Sequence, residues 1–227
     1  MSYVYMKALE NKAEKYDKGI KNLTLGRLPK IKRYIVENYI HKNEILLDIG
    51  MGTGSFAILS ARKGAKVIGI DYSEKMLDVA KKNIKLEGLT NRIQIIKMPV
   101  IDLDEKFSDK SFDKITAILI FSELYQAEQD FCLNHINRML KDEGEFILVD
   151  EVKPKKIWKK IIYFFIKIPL VIITYLKSNL TTKYLKDIEE KLEDHNFSLI
   201  EEHYYLLDTL KLFRLKKREK KTNIRLD

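Results

Sequence analysis

Five short apolar runs, alternating with stretches of helical periodicity, decide what this chain can become. They cover residues 45–49, 67–70, 93–96, 115–120 and 146–149. Strands apolar on nearly every residue, rather than on alternate ones, are buried on both faces. With helices between them they imply a parallel sheet covered on each side, a doubly wound α/β architecture. Sheets of this kind take ligands at the carboxyl ends of their strands.

The first run opens on ILLDIGMGTGSFA, where glycines fall at positions 50, 52 and 54 and a helix follows from Ser55 through Arg62. The second ends at Asp71. Ser73 is placed to cap the next helix, whose Leu77, Ala80 and Ile84 share a face and which stops at Gly88. A helix over 127–141, ending near Gly144, precedes the fifth strand. Ahead of the first strand, residues 6–42 read as helical, with Gly19, Gly26 and Pro29 breaking the pattern. After Asp150 the rhythm changes. Residues 153–177 are basic and then aliphatic and aromatic, Leu185, Ile188 and Leu192 form a helical face, and 194–196 make a turn. The runs FSLIEEHYYLL and DTLKLFRLKK then pair antiparallel. The organisation expected is a helical cap over 1–43, an α/β core over 44–152, a helical insert or lid over 153–193, a closing strand pair over 194–217 and a basic tail over 218–227.

A dinucleotide fingerprint requires G-x-G-x-x-G. Here Ser55 stands where the third glycine belongs, which tilts the loop away from a pyrophosphate. Asp48, at the end of the first strand, is an awkward neighbour for a pyrophosphate but suits a ligand bearing an ammonium and a sulfonium. Asp71, at the tip of the second, can accept hydrogen bonds from both hydroxyls of a ribose. An unphosphorylated nucleoside with a cationic tail meets these demands, and S-adenosylmethionine (SAM) is such a molecule. Three alternating glycines cost conformational entropy that a close backbone approach to the ligand explains.

LLDIGMGTG followed by VIGIDYSEKMLDVAKKN resembles the first two motifs of the class I SAM-dependent methyltransferases. SFDKITAILIFSEL resembles their strand-four motif, GEFILVDE their fifth strand, and the closing pair their reversed last strand. The resemblance implies a Rossmann-like seven-stranded sheet, mostly parallel with an antiparallel last strand. It also implies methyl transfer by direct displacement, with S-adenosylhomocysteine as product. It puts Tyr72 beside the cofactor and lets Tyr16 close over it. An acid after strand three should read the adenine amine: Asp102 is the choice and Asp104 the alternative, with Ile101 at the ungapped position. Met51 stands where the family often has Cys. Ser122 and Glu123, after strand four, are the candidates near the transferred methyl, Glu123 as a general base or as an ordinary helix-start carboxylate. YDKGIKNLTLGR is similar to a segment of methyltransferases associated with corrinoid proteins.

His41, His135, His195 and His203 show no ligand spacing, so neither a metal site nor a Ser/His hydrolase is expected. The lone Cys132 excludes an intramolecular disulfide and falls in a helical apolar pattern, pointing to a reducing cytoplasm. The net charge of +9 permits nucleic acid, anionic lipid or acidic protein partners without selecting one. Strand four ends in IFSEL rather than the NPPY-type tetrapeptide of amino-methylating nucleic-acid enzymes, which disfavours nucleic acid. In 153–177, Lys167 and Pro169 interrupt an apolar stretch shorter than the roughly 20 residues that span a bilayer. A lid over a small or hydrophobic acceptor is expected there. The preceding lysines and Trp158 also fit a membrane-surface helix or a hydrophobic partner contact. An idle SAM-binding escort of a partner such as a corrinoid protein, and an RNA or protein methyltransferase, are the competing functions.

Overall fold

The computed structural model describes residues 13–154, 157–158 and 184–218. Most of the 153–177 segment, the basic tail after Arg218 and the first twelve residues of the cap therefore lie outside the described residues.

A 3-10 turn at Ala13–Lys15 leads into α1 (Tyr16–Leu23) and α2 (Arg27–Tyr39). Of the three expected breakers only Gly26 breaks. It sits between the helices at φ 72, a left-handed conformation that favours glycine. Gly19 lies inside α1, and Pro29 occupies the first turn of α2, where no backbone N–H is needed. The chain then runs β1 (Ile45–Ile49), α3 (Ser55–Lys63), β2 (Lys66–Asp71), α4 (Glu74–Leu86) and β3 (Ile93–Lys97). After a 3-10 turn at Val100–Asp102 come the short α5 (Leu103–Lys106), β4 (Phe112–Ile118) and a second 3-10 turn at Phe121–Glu123. The rest is α6 (Gln126–Met139), β5 (Leu140–Glu151), α7 (Ile188–Asp194), β6 (Phe197–Tyr205) and β7 (Leu210–Lys217).

All seven strands join one sheet in the order β3-β2-β1-β4-β5-β7-β6. β1 pairs parallel with β2 and β4, while β7 runs antiparallel to both of its neighbours, β5 and β6. The seven-stranded sheet with one reversed strand is the expected class I methyltransferase topology. Because the chain winds outward through β3 and returns to β4 on the other side of β1, the order reverses between β1 and β4. A crevice opens at such a point.

Several expected boundaries move. β4 begins three residues earlier and stops at Ile118, because Leu119 turns to φ 60 while its N–H reaches the Val149 carbonyl. α6 ends at Met139, and Gly144 belongs to β5 rather than to a helix end, since Leu140 is already extended and opposite Phe112. Leu185 is not on the α7 face; it makes a parallel bridge to Val152, and α7 buries Ile188 and Leu192. Ser73 stands at the N-cap of α4 without a side-chain capping bond; its backbone N–H serves Asp71 instead.

Apolar side chains fill both faces of the sheet. Ile31, Ile35, Tyr39, Leu77, Ala80 and Ile84 pack on one. Leu133, Ile136, Met139, Ile188 and Leu192 pack on the other, with Cys132 among them, its thiol pKa pushed up by burial. Met51 has a packing role in this core. It is 4% exposed and lies over Gly69 of β2, where an added Cβ would stand 2.3 Å from its sulfur and 3.2 Å from its own Cβ. Gly69→Ala is therefore expected to cost about 1–2 kcal/mol by overpacking. In denaturant titrations that cost should shrink in a Met51→Ala background, which removes the sulfur and methyl but keeps the Cβ at 3.2 Å; an unchanged cost there would remove the end of the Met51 side chain as its cause.

Candidate functional site

Two loops at the ends of β1 and β2 are held by each other. After β1 the backbone N–H groups of Gly50 and Met51 both donate to the Ile70 carbonyl, at 2.9 and 3.0 Å. Asp71 completes the arrangement, one carboxylate oxygen accepting the Gly52 N–H and the other the Ser73 N–H, each at 2.8 Å. Gly50 and Gly52 have φ of 70 and 55. A Cβ on Gly50 would press on Ile120 at 3.1 Å, and one on Gly52 would meet the Met76 methyl at 3.2 Å. Gly54 has φ 77 and starts α3; its absent Cβ would make only ordinary contacts with Ala80 and Ile84.

Asp48 is 2% exposed, one strand position from the loop and opposite Thr116 of β4. The Thr116 hydroxyl donates to Oδ1 at 2.8 Å, whereas Oδ2 has no hydrogen-bond partner among the described residues. Burial pushes its pKa up to about 6, against the lowering effects of the Thr116 hydrogen bond and the Lys32 charge. Lys32, from α2, donates to the Ser55 hydroxyl at 2.8 Å; burial lowers its pKa, while Asp17 and Asp48 oppose that shift. The Thr53 hydroxyl reaches the Asp17 carboxylate of α1 at 2.9 and 3.0 Å. The cap is thus fastened to the glycine loop at two points.

A cleft of about 330 Å³ opens over these loops, within the range of small-molecule sites. Tyr16, Gly50, Gly52, Asp71 and Tyr72 line one part of it. Met76, Met98, Pro99 and Val100 form a second wall, and Ile118, Leu119, Ile120, Glu123, Leu124, Tyr125 and Glu128 a third. Six of the sequence candidates therefore share one wall system: Tyr16, Gly50, Gly52, Asp71, Tyr72 and Glu123. Asp48 and Gly54 are not among the residues that line the cleft. Ser122 is buried, its N–H donating to the buried Asp150 carboxylate at 3.0 Å. Asp102, on the turn after β3, and Asp104, in α5, are both exposed, and neither lines the cleft, where Met98, Pro99 and Val100 stand instead.

Lys32, Asp17, Thr116 and Asp150 escaped the sequence reading. Each meets its partner across at least 23 residues of chain, so no local spacing marks it. Glu128 accepts the Tyr125 N–H at 2.7 Å, the Glu half of a capping box whose N-cap is a tyrosine rather than the usual Ser or Thr.

The residues present fit a nucleoside with a cationic tail. Added side chains at Gly50 and Gly52 would crowd the cradle, and the orphaned, buried Asp48 oxygen can accept from an ammonium. The profile of a family described as a methyltransferase domain matches residues 40–191. The chain belongs to this methyltransferase family. The demethylmenaquinone methyltransferase of Thermotoga maritima is 32% identical over 167 residues, 71% of this chain and 69% of that protein. The enzyme of the same name from Bacteroides fragilis is 30% identical over 183 residues, 78% and 73% of the two chains. Among solved structures, a SAM-dependent methyltransferase from Methanosarcina mazei has TM-score 0.65 at 20% identity, covering 82% of this chain and 98% of its own. The 4+2 cyclase SpnF has TM-score 0.66 at 17% identity, with 83% and 81% covered. At these identities the structures show the fold alone, and the cyclase shows that the fold is not confined to one chemistry. This methyltransferase uses SAM as its family does. Among the described residues, no group of three His, Cys, Asp or Glu side chains is placed to hold a metal ion, and no helix is long and apolar enough to cross a membrane.

Proposed function

We propose that this methyltransferase transfers the methyl group of SAM to a ring carbon of a lipophilic hydroquinone. The observation that carries the reading is the third wall of the cleft, where Ile118, Leu119, Ile120 and Leu124 give an apolar face with Tyr125 at its edge. A flat, uncharged ring suits such a face. Support comes from the two curated relatives above, both named demethylmenaquinone methyltransferases and each matched over more than two thirds of its length.

Bound SAM supplies an electrophilic methyl on a sulfonium that leaves readily. The protein's part is then to place and to dry the acceptor. In this reading Asp71 holds the ribose hydroxyls and the Gly50–Gly52 backbone lies along the methionine. Asp48 accepts from the ammonium, and Tyr16 and Tyr72 flank the nucleoside. Asp102 is exposed and does not line the cleft, and in this reading the wall at Met98–Val100 contacts the base.

The purified chain, SAM and a reduced 2-prenyl-1,4-naphthoquinone should yield S-adenosylhomocysteine and a product heavier by one methylene, read by mass spectrometry. Tight binding of S-adenosylhomocysteine without transfer to any hydroquinone would overturn this reading and favour the idle escort.

A further inference from the structure

The charge of the cleft runs against the charge of the chain. The protein carries a net +9, yet among the described residues the cleft is lined by Asp71, Glu123 and Glu128 and by no lysine, arginine or histidine. Carboxylates alone around a partly desolvated site repel an anionic acceptor and admit a neutral one. The three differ in place: Asp71 ends β2, Glu128 lies in the first turn of α6, and Glu123 closes the turn that follows β4. Glu123 stands on the opposite flank from Asp71, among Ile120, Leu124 and Tyr125. Its turn is fixed from two sides. The Glu123 N–H donates to the Ile120 carbonyl at 2.9 Å, and the neighbouring Ser122 N–H donates to the buried Asp150 carboxylate.

Building on the hydroquinone reading, we infer that Glu123 is the general base that takes the hydroxyl proton of a neutral phenolic acceptor. A neutral phenol is a poor carbon nucleophile, and ionisation drives electron density into the ring. The O–H bond breaks and its proton passes to a Glu123 oxygen. The released pair, delocalised through the ring, forms the carbon–methyl bond while the carbon–sulfur pair stays on sulfur. The hydrogen on the methylated carbon then leaves as a proton to water, and Glu123 returns its proton to the ring oxygen. The ring regains aromaticity, the carboxylate is restored and one proton is released overall. Asp150, which touches no substrate, is a positioning residue for that turn.

The test is Glu123→Gln, which keeps shape and removes basicity. S-adenosylhomocysteine affinity by calorimetry should stay within twofold, while kcat for 1,4-naphthohydroquinone falls about 100-fold. With a halogenated hydroquinone already ionised at the assay pH, the loss should shrink toward none, because no proton remains to be taken. A binding measurement stands beside the rates. The wild type loaded with S-adenosylhomocysteine should bind 1-naphthol at least tenfold more tightly than its sulfonate, and Glu123→Gln should narrow that gap. An equal loss for ionised and un-ionised acceptors, no loss at all, or equal binding of naphthol and sulfonate would each overturn the assignment while leaving the hydroquinone reading intact. A wild type that methylates no hydroquinone, ionised or not, overturns both.

Discussion

Asn in place of Asp71 is expected to weaken S-adenosylhomocysteine binding about 1,000-fold, with little change in the stability of the core. Two costs combine. In the proposed site the carboxylate accepts from two ribose hydroxyls, and hydrogen bonds to a charged group are worth about 1.5–3 kcal/mol each. The same two oxygens also hold the Gly52 and Ser73 amides at 2.8 Å. An asparagine keeps one acceptor and points an NH₂ at a backbone donor, so one loop loses its anchor. Isothermal calorimetry measures the loss. An affinity within tenfold of wild type would remove the ribose from Asp71.

The second large effect lies at Asp48 and has opposite signs for stability and for binding. Its pKa is raised from 3.8 to about 6 in the folded protein, chiefly by burial. Its protonated form is therefore favoured by folding. The contribution to stability is full below the unfolded value near 3.8 and is lost as pH rises through about 6. At neutral pH the ionised, half-satisfied carboxylate costs about 3 kcal/mol. Asp48→Asn keeps the acceptor facing Thr116 and removes the charge. It should raise the unfolding free energy of the cofactor-free protein by about 1–3 kcal/mol at pH 7, part of the gain being offset by Lys32 losing an opposite charge. At pH 4 it should change little. Denaturant midpoints at the two pH values give the comparison. Cofactor affinity should move the other way. An ammonium on Oδ2 favours the ionised form, so wild-type affinity should fall about tenfold per unit as pH drops below about 6, and the Asn variant should lack that dependence. A variant neither stabilised nor weakened in binding would mean that the orphaned oxygen meets no cation.

The parts of the molecule written in the sequence are those whose causes are local. The β1 loop needs positive φ at Gly50 and Gly52, and the strands need apolar runs, so both can be read where they stand. The reversed strand was legible too, because FSLIEEHYYLL and DTLKLFRLKK lie too close together for anything but a hairpin. Boundaries failed where a partner far along the chain overrides local preference. β4 extends back to Phe112 because Leu140 pairs with it, and Gly144 is drawn into β5. The resemblance puts an acid after β3 without fixing its frame, and the path of the chain there brings Met98, Pro99 and Val100, not Asp102, to the wall of the cleft. The apolar wall after β4 had no signature of its own, since apolar residues there look alike whether they pack or line a cleft.

The two side-chain bonds from the cap to the glycine loop, Asp17 to Thr53 and Lys32 to Ser55, have a consequence for how occupancy can be watched. Whatever steadies residues 50–55 must also steady α1, although α1 adds only Tyr16 to the wall of the cleft. The first helix is in effect an indicator needle attached to the proposed nucleoside site. Amide-hydrogen exchange across residues 16–23 should slow when S-adenosylhomocysteine binds, and Thr53→Ala should uncouple the needle from the dial.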